Sequence, residues 1–318
     1  MHGFPPRPPR WKTVEGGGGG LDWKSNNHML ELPIILPAIV NGLTLGAIYA
    51  LVALGLTLIY GVLHIINFAH GSLLMLALYG VFFLDRLWGV DPYLAMLVLV
   101  PAFFALGYAL QWSVIGKASH GKDQNVLLVT LGISIVIENL ALFLFSADTR
   151  AVDTIYTFRM LDLGVARVPL SRAIAFAASL VVAALLWVVI ARTDLGRAIR
   201  AVAKERQGAR LVGIDVDHIF AMSFGIGTAC LGAAACLLLP TFYVSPTVGH
   251  VFVLVAFTVV VLGGMGSFPG ALLGGFIIGV TESLGGLFLG ESLGQIGIFL
   301  IFIGVLLFRP TGLFGSRA

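Results

Sequence analysis

Charge is what this chain has least of. Only 11% of its 318 residues are Asp, Glu, Lys or Arg, whereas a soluble domain carries about 25%. So few charges cannot wet the surface of a protein this long. With 58% hydrophobic residues and a mean hydropathy of +0.99, the solvent of most of the chain is lipid. Cysteine is nearly missing. Cys230 and Cys236 share one apolar run at a spacing wrong for CxxC redox chemistry and without partner ligands, so they read as packing residues. A basic face is missing as well. The formal net charge is +3, the cations cluster in a few connections, and no aromatics interleave with them, which argues against nucleic acid as a partner.

Catalytic signatures are equally thin. "GKASHGKD", Gly116 to Asp123, nearly spells a P-loop. Asp123 stands where the Mg²⁺-holding hydroxyl belongs, and no strand precedes it. "GIGTACLG" and "GGMGSFPG" echo dinucleotide fingerprints inside hydrocarbon-length runs rather than in a βαβ unit. No Ser/His/Asp order or paired-carboxylate site stands out. The chain is therefore read as neither an ATPase nor another enzyme, and no cofactor or metal is expected.

What is abundant is length of apolar run. A helix needs about 20 apolar residues to cross roughly 30 Å of hydrocarbon. Runs of that kind lie near 34–61, 65–84, 93–115, 125–147, 171–191, 219–241, 251–267, 270–289 and 293–308. The expected fold is an all-α polytopic membrane protein with about eight or nine segments. The run at 251–267 is short and ends in "GGMGSFPG", so it is expected to be re-entrant or broken. Residues 1–30 differ, with Pro-rich and Gly-rich blocks and no apolar period. They read as a disordered extension, with Met29 as an alternative start.

Lys and Arg set the orientation. Placing the 192–218 connection in the cytoplasm brings the 116–124 loop (Lys117, Lys122) and the tail (Arg309, Arg317) to the same side when nine segments are counted. The 85–92, 148–172 and 242–250 loops then lie outside. The 148–172 loop runs against the rule with Arg150, Arg159, Arg167 and Arg172, accompanied by Asp148, Asp153 and Asp162. Within the spans, Gly42/Gly46, Gly270/Gly274 and Gly275/Gly279 form GxxxG pairs, the spacing at which helices approach closely in lipid.

Polar groups inside the runs are costly unless they face a partner or a cavity. His64, Asn67 and His70 interrupt the join of the first two runs at spacings of three residues, which on a helix places them on one face. Glu138 and Glu282 are the obvious acids within the spans. Each of these five either caps or cross-links helices or lines a translocation path. Pro240, Pro246 and Pro269 are expected to break helices near membrane boundaries.

The densest charge lies in "GRAIRAVAKERQGARLVGIDVDH", Gly196 to His218, within a stretch holding six Lys and Arg between Arg192 and Arg210. Leu195, Ile199, Val202, Ala209 and Val212 recur at roughly helical spacing while Arg197, Arg200, Lys204 and Glu205 take other faces. Gly213 supplies a helix stop. A topogenic loop needs charge but no periodicity. An amphipathic helix hung between two spans is something a cytoplasmic partner grips.

Several stretches resemble one family. "NGLTLGAIYALVALGLTLIYGVLHIINFAHGSLLML", "TDLGRAIRAVAKERQGARLVGIDVDHI", "VLGGMGSFPGALLGGFIIGVTESL" and the terminal "LLFRPTGLFG" are similar to branched-chain amino-acid ABC permeases of the LivH type, in order, over about residues 35–315. The resemblance implies a permease domain spanning 31–318 with a cytoplasmic coupling loop at 192–218, in a bacterial inner membrane. It also implies partners besides lipid: a second related permease subunit, two cytoplasmic ATPase subunits and an extracytoplasmic binding protein. The importer signature E-A-A-x-x-x-G falls on Gln207, Gly208, Ala209 and Gly213, matching at the third and last of these. Arg197, Arg200, Glu205, Gln207, Ala209 and Gly213 are thus the expected coupling residues, and His64, Asn67, His70, Glu138 and Glu282 the expected path. The alternative is a secondary transporter or channel for a small polar solute such as urea, an amide or another amino acid.

Overall fold

Inside hydrocarbon every backbone N–H and C=O must find its partner within the protein, and a helix provides this segment by segment. The computed structural model describes residues 32–119, 123–152, 154–162, 164, 167–309 and 311–315. The extension with Met29 lies outside the described residues, as do Lys122, Asp153 and Arg317. The first half contains α1 (Leu32–Leu63), α2 (His70–Trp88), α3 (Met96–Leu110), a π-helical turn (Gln111–Ile115), α4 (Gly116–Ser119) and α5 (Asp123–Phe145). A crossover follows with α6 (Ile155–Phe158), the antiparallel strands β1 (Met160–Asp162) and β2 (Arg167–Pro169), and α7 (Leu170–Arg192). Two short helices come next, α8 (Asp194–Lys204) and α9 (Arg206–Leu211). The second half contains α10 (Val216–Leu238), α11 (Val248–Gly263), α12 (Phe268–Leu289) and α13 (Glu291–Phe308). Among the described residues, seven helices are long and apolar enough to span a membrane, and Val248–Gly263 and Gly294–Phe308 are shorter apolar helices. Each of the nine apolar runs is thus helical over most of its length, with 65–69 and 264–267 outside the helices.

The ends of the bundle follow from contacts between loops. At one end Arg206 donates to the Leu63 carbonyl, and the tail pairs back on α11 through Leu313 N–H to Leu262 O (2.8 Å) and Phe314 N–H to Gly263 O (3.1 Å). At the other end Arg150 bridges to Val244, Thr157 donates to the Pro240 carbonyl (3.0 Å), Arg172 donates to Asn41 (3.4 Å) and Ser283 to Ala38 O (2.6 Å). Among the described residues the nine apolar helices alternate in direction along the axis between these ends. The 192–218 connection shares its end with Lys117 and Arg309.

Helices α1 and α10 form the buried centre and cross antiparallel, Gly55 against the Gly227 carbonyl and Gly227 against the Gly55 carbonyl. Helix α12 packs on α1 and α3 packs on α10. The backbones of Gly42 and Gly46 abut those of Gly279 and Gly275, while Gly270 abuts Gly263, so the GxxxG pairs are close-contact seams. Cys230 and Cys236 are free and buried in this core.

Two helices are incomplete spans. Chain 64–69 leaves the end of α1 and turns back into the bundle without helical hydrogen bonding, so α2 starts beside Val52, deep inside. After α10 the chain does the same, and α11 starts where Gly249 meets Gly71 backbone to backbone. From that meeting point α2 runs to one end of the bundle and α11 to the other. The short run near 251–267 is thus a broken segment, and α2 is its counterpart. The order long helix, unwound return, half helix, flanking helix occurs twice in opposite orientations, the arrangement of an inverted repeat.

Candidate functional site

The unwound return 64–69 carries three of the expected path residues, and it does not hold them on one face. His64 ends α1 at φ +57 and lies exposed at the bundle end, its N–H bonded to Tyr60 O at 2.7 Å. That left-handed residue stops the helix, so the three-residue spacing no longer means a shared side. Asn67 and His70 are buried far inside. Asn67 Oδ1 accepts from the Ala69 N–H at 3.1 Å, forming the turn that starts α2, while its amide nitrogen has no partner. His70 Nε2 lies 3.0 Å from the Val52 carbonyl. A carbonyl only accepts, so Nε2 carries the proton. The Phe68 N–H, freed by unwinding, donates to Thr130 on α5 at 3.3 Å, and Ser72 and Ser134 bond at 2.7 Å. The interior start of α2 is thereby stitched to α5 by polar contacts.

One turn beyond Ser134, Glu138 accepts a hydrogen bond from His250 Nε2 at 2.9 Å. Sequence reasoning missed His250. It falls in the first turn of α11 and reads as part of an external loop, whereas the return of the chain draws it into the bundle. Its side chain is 60% exposed and that of Glu138 17%. At the depth of mid-α5 such exposure is incompatible with bare lipid, where a charged group costs about 2.5–3.5 kcal/mol or more. Cover by protein or water would remove that cost. Glu282 is elsewhere, on α12 beside Tyr49 of α1. Tyr49 in turn meets Phe252 of α11 edge-on at 6.2 Å. Glu138, Asn67 and His70 therefore gather around the two half-helix starts; His64 and Glu282 do not join them.

The charged connection is two helices rather than one. Thr193 caps α8 by accepting from the Gly196 N–H (3.2 Å), and Glu205, extended at φ −156, caps α9 by accepting from the Gln207 N–H (3.1 Å). That second cap breaks the expected continuous helix. Ile199 and Val202 bury the apolar face of α8 on α1, α7 and α10. Arg197 pairs with Asp194 and Arg200 donates to the Ile190 carbonyl; both are exposed, as are Glu205 and Gln207. Ala209 faces inward and is buried in its own chain. Gly213 stops α9 at φ +87, with Gly213 N–H to Arg210 O (3.1 Å) and Ile214 N–H to Ala209 O (3.0 Å), a Schellman ending. Arg206, which the sequence did not mark out, caps the end of α1 at Leu63 and lies 5.1 Å over the Phe220 ring. Beside these polar groups the end of α9 also presents an apolar tip: Leu211 is 88% and Val212 76% exposed.

Known proteins resemble this chain over most of its length. A family model described as the permease component of branched-chain amino acid transport systems matches residues 38–308. The chain is 34% identical over 303 residues to the high-affinity branched-chain amino acid transport system permease protein BraD of Pseudomonas aeruginosa, covering 90% of this chain and 98% of BraD. It is 31% identical to the LivH proteins of Salmonella typhimurium and Escherichia coli K12, covering 88% of this chain and 95% of each. No solved structure gives a significant match.

Proposed function

The chain belongs to the branched-chain amino acid transport system permease family, and from that premise we propose that it is the multi-pass membrane subunit of an ATP-driven importer for branched-chain or related amino acids. It is a transport subunit; hydrolysis is the work of two cytoplasmic ATPase subunits, delivery that of an extracytoplasmic binding protein. The comparisons do not favour a secondary transporter or channel. A second permease subunit covers the Glu138–His250 face, so that the half-helix starts line the route between the two subunits. The bundle end carrying α8 and α9 is cytoplasmic.

One observation carries the coupling role. Leu211 and Val212 protrude from the end of α9 while the opposite side of the same segment is anchored by Ile199, Val202 and Ala209 and by Arg206 on Leu63. An exposed apolar tip on a tightly held base transmits a push from a partner to α1, α7 and α10. Ligand-driven change of conformation then follows from differential binding of partners to two states.

Leu211→Glu tests this in vesicles containing the permease pair, the ATPase subunits and loaded binding protein. A charge at a buried contact costs at least about 2 kcal/mol, or roughly thirtyfold in affinity. Uptake and substrate-stimulated hydrolysis are expected to collapse together with membrane insertion unchanged. Uptake and stimulation at wild-type levels would remove the docking role from α9.

A further inference from the structure

Two cavities flank the same stretch of the α3–α5 hairpin. The first, about 1150 Å³, opens at the α8–α9 end of the bundle beneath the π-helical turn. Its lining includes the cations Lys117, Lys204, Arg206 and Arg210 against the acids Glu205 and Asp217. Arg210 is drawn to Asp217 at 3.7 Å and Glu205 is occupied as the cap of α9. Lys117 and Lys204 have no ion-pair partner among the described residues. Trp112, half exposed, stands in the wall, the position at which indole rings mark a membrane boundary.

The second cavity, about 460 Å³, lies one turn deeper and is walled by aliphatic side chains of α2, α3 and α5 together with Gly132. Leu110 and Val114 line it where Gln111, Trp112 and Ile115 line the first; on α5 Val129 lines it where Val126 lines the first. Nothing lies within 4 Å of where a Cβ of Gly132 would project. A glycine in mid-helix costs about 1 kcal/mol relative to alanine. Here no second backbone uses the space, and Gly132 is exposed at the surface of the bundle.

We propose that these two cavities form one site for an anionic phospholipid of the cytoplasmic leaflet, its phosphate held by Lys117 and Lys204 and one acyl chain seated in the aliphatic cleft at Gly132. The occupant follows from the lining. A soluble anion has no use for an aliphatic cleft, and a neutral lipid leaves two lysines without counter-charge, whereas basic pockets between membrane helices suit anionic head groups. Since Lys204, Arg206 and Arg210 of the basic half belong to α8 and α9, an occupied site braces the segment to which the proposed function assigns coupling.

The test uses the whole transporter, permease pair with ATPase subunits, extracted in mild detergent, washed with mixed phosphatidylglycerol and phosphatidylethanolamine, and analysed for retained lipid by mass spectrometry. Wild type is expected to retain phosphatidylglycerol over phosphatidylethanolamine. Lys117→Glu lies outside the coupling segment and should lower phosphatidylglycerol occupancy about fivefold or more, the factor contributed by one basic residue near an anionic surface. Gly132→Leu, whose Cβ meets open space, puts an aliphatic side chain into the cleft and should remove retained lipid of either head group. Equal retention of the two lipids by wild type, or unchanged retention in both variants, overturns the site. So does an efficient cross-link from Gly132→Cys to another protein chain in native membranes, since protein rather than lipid would then cover the cleft.

Discussion

A missing side chain does opposite work at two glycines of this molecule. At Gly275 an added Cβ would run into the backbone N and Cα of Ala50, each at 2.6 Å, so the α1–α12 seam exists only because nothing is there. At Gly132 it meets open space. The two positions therefore answer the same substitution differently. Gly275→Leu should destabilise by more than the 1–3 kcal/mol of ordinary overpacking, because the obstacle is backbone. Gly132→Leu should be neutral or stabilise by up to about 1 kcal/mol through helix propensity. Thermal unfolding in detergent, followed by loss of monodisperse protein, reads both. Equal losses would refute the contrast. The same scale shows why His250 was hidden. Glu138 is legible as an acid in an apolar run, but its partner lies 112 residues further on and becomes intramembrane only because the chain after α10 turns back.

At the scale of the element, the nine apolar runs were legible because hydrocarbon thickness demands length, and length survives in any reading of sequence. Irregular pieces were less so. The return at 64–69 is itself apolar, "HIINFA", so nothing in its hydropathy announces that it leaves the helix; the left-handed His64 and the Asn67 turn do that locally. In the charged connection the periodicity was visible and the break at Glu205 was not, since a glutamate inside an amphipathic pattern reads as a solvated face. The break makes its own prediction. Glu205→Ala removes the α9 cap, worth about 1 kcal/mol. Amide hydrogen exchange in Gln207–Ala209 should accelerate about fivefold while α8, with its own Thr193 cap, keeps its protection. Unchanged exchange in α9 would mean that Arg206 on Leu63, not the cap, holds the segment.

At the scale of the whole molecule the contacts between loops divide the chain into two ends without reference to charge. Positive-inside bias arrived at the same division from the composition of the loops, and the arginine-containing 148–172 loop goes with the opposite end despite its cations. A pair of single cysteines separates the faces: Ala201→Cys on α8 and Leu161→Cys on β1, both at exposed positions. An impermeant maleimide added to intact cells should label Leu161→Cys alone, with Ala201→Cys labelled after permeabilisation. The native cysteines are buried and contribute little background. Reversed labelling would invert the orientation and with it the side proposed for the ATPase subunits.

The reciprocal glycine contacts, Gly55 with Gly227 and Gly71 with Gly249, have a thermodynamic consequence. Where two halves of a chain are built alike and joined head to head, letting each adopt the other's conformation yields a molecule facing the opposite way with nearly the same set of internal contacts. These backbone contacts by themselves would favour neither facing. For a balance displaced to 1:99, reversal to 99:1 asks for about 5.5 kcal/mol of preferential binding, which the partners proposed above would have to supply from one side or the other. The permease itself resembles a see-saw, and direction belongs to whatever presses on its ends.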